Sequence, residues 1–131
     1  MNSFPTAGLP SDPTTVAPDG SDVRVLLATE RGSMAHFLLA AGRTSDAVRH
    51  RTVEEIWYVL GGRGQIWRRR GAAEVTVPLD AGTCVVIPFG TSFQFRSVGP
   101  DPLVAVPVTM PPWPGEDEAE RVEGRPAWTS A

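Results

Sequence analysis

Between residues 23 and 109 the chain is cut into short apolar runs, at 23–28, 34–41, 47–51, 55–60, 65–70, 74–77, 83–87, 92–97 and 103–109. Turn-forming residues separate them, and none holds a 3.6-residue period long enough for a helix of ordinary length. Segments this short can bury their apolar sides only by pairing, so the chain is restricted to an all-β sandwich or barrel. The turns are specific. Gly61-Gly62-Arg63-Gly64 supplies positions free to take positive φ, Gly71-Ala72-Ala73 closes a hairpin, and Asp80-Ala81-Gly82 ends a strand just after Pro78. Pro88-Phe89-Gly90 joins a fixed φ to a free one and bends the chain near the barrel mouth.

The two ends differ from this middle. Residues 1–20 carry Pro5, Pro10, Pro13 and Pro18 among Ser, Thr, Asp and Gly, and read as an irregular, extended arm with a place along a partner subunit. Residues 21–110 form the barrel. Residues 111–131 are a Pro-rich, acidic tail: Pro111-Pro112-Trp113-Pro114-Gly115, in which Trp113 is large enough to anchor against an apolar surface, then Glu116-Asp117-Glu118-Ala119-Glu120. A short helix is expected over 116–122, since acids suit a helix N-terminal turn.

With 131 residues there is one domain's worth of chain. The 12 basic residues are outnumbered by 15 acidic ones, giving a net charge of −3 with no long basic stripe, so no nucleic-acid partner is expected. All 12 basic residues are arginine. Lysine chemistry, including Schiff-base catalysis, is therefore absent. No apolar stretch approaches a membrane span and no signal-like start is present, so the expectation is a cytoplasmic protein without membrane contact. The single cysteine, Cys84, sits in an apolar run and is expected to be a buried, inert thiol.

Two spaced motifs run through the middle. The first is Gly42, five residues, Val48, one residue, His50, four residues, Glu55, six residues, Gly62; the second is Gly82, five residues, Pro88, Phe89, Gly90, two residues, Phe93, three residues, Ser97. The pattern resembles the cupin family, whose motifs are G-x5-H-x-H-x4-E-x6-G and G-x5-P-x-G-x2-H-x3-N. The resemblance spans about residues 34–109. It implies a double-stranded β-helix, or jelly-roll barrel, often a homodimer, in a family that includes dioxygenases, isomerases, decarboxylases, lyases, cyclases and ligand-sensing domains. His50 and Glu55 match ligand positions of the family's metal, whereas Val48 and Phe93 stand where it has its other two histidines.

Residues two apart on a strand share a face, so Val48 and His50 look one way, as do Glu55, Trp57 and Val59 on the next strand, and Phe93 and Phe95 on a later one. In the cupin frame these sets face the interior. His50 and Glu55 are the candidate catalytic pair, His50 moving a proton and Glu55 orienting it, in a pocket lined by Val48, Trp57, Phe93 and Phe95. Three readings follow. One is proton-transfer catalysis on a small organic substrate by an isomerase, lyase or cyclase; the second is a non-catalytic cupin that binds or senses a small ligand. In the third, His36 turns inward and joins His50 and Glu55 around a divalent metal. With no complete ligand set in the motifs, no cofactor and no metal residue is assigned. Arg68-Arg69-Arg70 forms a basic hairpin whose expected partner is the acidic tail or another subunit.

Overall fold

The computed structural model describes residues 4–17, 19–125 and 127–128. Residues 1–3 and Pro18 of the arm, and Pro126 and 129–131 of the tail, lie outside the described residues. Among the described residues eleven strands follow one another: β1 (Thr15–Val16), β2 (Asp22–Ala28), β3 (Ser33–Leu39), β4 (Val48–His50), β5 (Glu54–Gly61), β6 (Arg63–Arg70), β7 (Ala73–Asp80), β8 (Cys84–Ile87), β9 (Ser92–Ser97), β10 (Leu103–Met110) and β11 (Ala119–Arg121). They form two antiparallel sheets, β1-β2-β3-β10-β5-β8 and β11-β4-β9-β6-β7. The two face each other as a jelly roll: all-β, as the strand spacing led one to expect, and of the barrel type that the family resemblance implies. Among the described residues no helix is long and apolar enough to cross a membrane.

Alternation along each strand decides what goes inside. On β5 the side chains of Glu55, Trp57 and Val59 are buried while Glu54, Ile56, Tyr58 and Leu60 are exposed. On β4 Val48 and His50 are buried and Arg49 is exposed. The interior is filled by an aromatic cluster: Trp57 meets Phe37 at 4.7 Å, Phe95 at 4.9 Å and Phe93 at 5.9 Å between ring centroids. Edge-to-face contacts of this kind add to the burial of large apolar area.

The turn at Gly62 fixes the β5–β6 corner. Its φ is 79°, and a Cβ there would stand 2.1 Å from the carbonyl oxygen of Pro102. Both the backbone conformation and the approach of the 102–103 backbone require a residue without a side chain. Gly62→Ala is expected to lower the unfolding free energy by roughly 2 kcal/mol or more, read from denaturant midpoints. An unchanged midpoint would mean that the corner relaxes freely.

Both ends enter the sheets. The arm runs along its own β2: Arg24 donates to the carbonyl oxygens of Pro10 and Ser11, and β1 pairs with β2. The helix expected over 116–122 is not formed. A single 3-10 turn, Glu116–Glu118, leads into β11, which pairs with β4 in the register Ala119↔His50 and Arg121↔Val48. The reason is an available strand edge: β4 has β9 on one side only, and pairing satisfies backbone groups that a one-turn helix would leave open. Glu120 binds Arg49 and Arg51, and Arg121 binds Asp46, so among the described residues the tail's ionic partners lie around β4 and not in the Arg68-Arg69-Arg70 hairpin. Arg68 donates instead to the carbonyl oxygen of Val86 across the barrel. Cys84 is exposed and not buried as expected, because Val85 and Ile87 take the inward positions of β8.

Candidate functional site

A cavity of about 260 Å³ opens between the two sheets, with Val48, His50, Glu55, Trp57 and Phe93 in its lining. Strand β4 brings His50, and β5 brings Glu55 and Trp57. Both ionisable groups are buried, and His50 Nδ1 lies 3.8 Å from Glu55 Oε2. That separation is too long for a hydrogen bond, so Glu55 does not fix the imidazole in the way a triad acid would. Glu55 Oε2 instead accepts from Trp57 Nε1 at 3.0 Å, while His50 Nδ1 has no hydrogen-bond partner.

The environment pushes the two groups toward neutrality from opposite sides. Burial drives the His50 imidazole down to about 4, against the pull of the Glu118 charge. Burial raises Glu55 to about 8; the Trp57 hydrogen bond opposes this, and the charges of Asp19 and Glu118 add to it. At neutral pH Glu55 is therefore in its protonated form and faces an uncharged imidazole.

Two of the expected site residues lie elsewhere. His36 is not in the cavity lining: its neighbours Ala35 and Phe37 take the inward positions of β3, and His36 sits opposite Arg24 in the ladder. Burial and Arg24 both lower its pKa. Phe95 is wholly buried but behind the cavity, where it supports Trp57 and Phe37. It is a core residue and not a wall.

Residues at the ends complete the site. Trp113, partly exposed, lines the cavity with its ring 5.0 Å from His50, and Phe93 lies 5.1 Å from His50, both at steep interplanar angles. Trp113 is tethered by its N–H to Ser33 Oγ at 2.9 Å, and Ser33 Oγ also bonds the Thr109 hydroxyl. Asp19, from the arm, also lines the cavity; its Oδ1 accepts from Ser21 N at 2.9 Å and Ser21 Oγ at 2.6 Å. Glu118, behind His50, accepts from Thr52 N at 2.6 Å, Val53 N at 3.0 Å and the Thr52 hydroxyl. Burial alone would raise Glu118, but these hydrogen bonds, helped by His50, hold it below the usual carboxylate range.

The family model described as "Cupin domain" matches residues 35–109, which is more than half of the chain. This chain is a cupin. A relative, the uncharacterized protein MJ1618 of Methanocaldococcus jannaschii, is 30% identical over 107 residues, covering 78% of the chain and 82% of that protein. Among solved structures the cupin is similar to the capsular polysaccharide assembling protein CapF of Staphylococcus aureus, at TM-score 0.70 and 18% identity over 92% of the chain. It spans about a third of CapF, 32% of that chain. It is also similar to BH2720 of Bacillus halodurans (TM-score 0.65, 18% identity, 85% of this chain and 81% of that one). Oxalate decarboxylase of Bacillus subtilis, a protein with Mn(II) centres, matches at TM-score 0.65 and 17% identity, over 75% of this chain and 27% of that one. At these identities the structural likenesses establish the fold alone.

A metal of the family's usual kind does not fit the donor set here. Val48 and Phe93 face each other in the ladder, both almost fully buried, at positions where the family's motifs carry histidine. Among the described residues no group of three or more His, Cys, Asp or Glu is placed to hold an ion. The reading in which His36 completes a site with His50 and Glu55 fails because β3 turns His36 away from the cavity. Two donors do not reach the three that a catalytic metal ordinarily takes.

Proposed function

We propose that this cupin binds a small organic molecule with an apolar body in its cavity and catalyses proton transfer on it, as an isomerase, lyase or cyclase does. The observation that supports this is the His50–Glu55 pair: two buried groups, 3.8 Å apart, whose surroundings separate their proton affinities in opposite directions. Such separation is how one site keeps an acid and a base together at neutral pH. Glu55 gives its proton to a substrate oxygen as His50 takes one from the neighbouring carbon. The pair then stands as carboxylate and imidazolium; His50 delivers its proton to a different carbon while Glu55 takes one back from a substrate hydroxyl, which restores both groups and completes an isomerisation without any co-reactant. Val48, Trp57 and Phe93 hold the apolar body, with Trp113 beside His50 in the same lining.

Native mass spectrometry of the freshly purified protein identifies any retained organic ligand, and proton NMR in D2O follows exchange or conversion of that molecule. His50→Gln is expected to slow conversion by roughly 100-fold or more while the ligand still binds. A ligand retained without conversion by the unaltered protein would favour the non-catalytic binding or sensing cupin. Undiminished turnover in the His50 variant would remove the proposed chemistry.

A further inference from the structure

The ionisable groups lining the cavity are Asp19, His50 and Glu55, with no arginine among the lining residues and no lysine in the chain. The hydrogen bonds to the two carboxyls come from neutral donors, the Ser21 N–H and O–H to Asp19 and the Trp57 N–H to Glu55. The only cationic partner within ion-pair distance of Glu55 among the described residues is His50, whose own burial disfavours its charge. Asp19 is close enough for its charge to be felt at Glu55. A second, independent feature points at a ligand: His50 is 7% exposed, yet its Nδ1, facing the Glu55 carboxyl, has no hydrogen-bond partner. Around these polar atoms stand the rings of Trp57, Phe93 and Trp113.

An anionic ligand would meet no fixed cation and would add to the burial that already favours the protonated forms of Asp19 and Glu55; a cation supplies the countercharge that burial withholds, so its entry displaces the proton that Glu55 otherwise holds. A cation meets carboxyl oxygens and aromatic rings in one lining, the combination that recognises ammonium groups. Building on the cavity as the ligand site, we infer that its ligand is a small organic cation, an ammonium carried on an apolar body, held between Asp19 and Glu55 and enclosed by the aromatic rings. The charge preference is a property of the lining and does not depend on whether the ligand is converted.

Three probes of nearly one shape separate charge from shape: benzylamine, benzyl alcohol and benzoate, titrated into the full-length protein at neutral pH and followed by calorimetry and ligand-observed NMR. Benzylammonium is expected to bind ~10-fold more tightly than benzyl alcohol, with benzoate the weakest. Asp19→Asn and Glu55→Gln should each reduce the ratio of ammonium to alcohol affinity several-fold, a ratio that general loosening of the barrel would not move. Equal binding of amine and alcohol, tighter binding of benzoate, or an unchanged ratio in both variants overturns the cation inference and leaves the cavity as a ligand site. Failure of all three probes to bind overturns both.

Discussion

Glu118→Ala is expected to destabilise the fold by about 3 kcal/mol, because one buried carboxylate serves two backbone N–H groups and a hydroxyl. The acceptor is lost by Thr52 N, Val53 N and the Thr52 hydroxyl at once. The same residue anchors the tail, since its own carbonyl oxygen accepts from Arg51 N at 2.8 Å and β11 begins at the next residue. Urea unfolding of the variant should show the full loss at neutral pH. The Glu118 pKa is lowered in the folded protein, so its contribution is present above the ordinary value of 4.5 and fades as pH falls through the depressed one. The gap between parent and variant should therefore close in acid. A gap that persists unchanged there would show that the carboxylate charge is not what holds these groups.

Glu55→Gln is expected to act in the opposite direction. Glu55 is raised to about 8 in the folded protein from an ordinary 4.5, so between those values the folded state binds more protons than the unfolded one. Stability of the parent must then fall as pH rises from about 4.5 to 8. Glutamine has no proton to lose and keeps an oxygen for the Trp57 N–H. The variant should match the parent near pH 4 and exceed it by on the order of 3 kcal/mol at pH 8, from urea midpoints taken across the range. Parallel curves would mean that the proton of the pair does not reside on Glu55.

Much of this architecture is legible in the chain because strands report themselves by alternation and glycine spacing. The motif from Gly42 to Gly62 places Val48, His50, Glu55 and Trp57 on inward faces, where the structure has them. What alternation does not encode is how deep along the barrel a buried residue lies. Phe95 is two residues from Phe93 on the same face, yet one lines the cavity and the other packs behind it. Nor does a short strand declare its direction when both neighbours are apolar, which is why His36 could be read either way. The end segments were less readable still. Residues 119–121 have a helix-favouring composition and become a strand through tertiary pairing with β4, an override that local propensity does not contain. Asp19 lies in a stretch whose prolines and polar residues read as arm, and only folding against β2 carries it to the cavity.

Val48 and Phe93 are direct partners across the β4–β9 ladder. The two places where this barrel departs from a donor-rich cupin are thus one rung, not two scattered sites. An aliphatic–aromatic rung is a good sheet pair in its own right, so the exchange leaves backbone, register and glycine corners as they are. The difference from a donor-rich cupin is therefore concentrated in one crosswise contact, within a chain that keeps the motifs' glycines and Pro88.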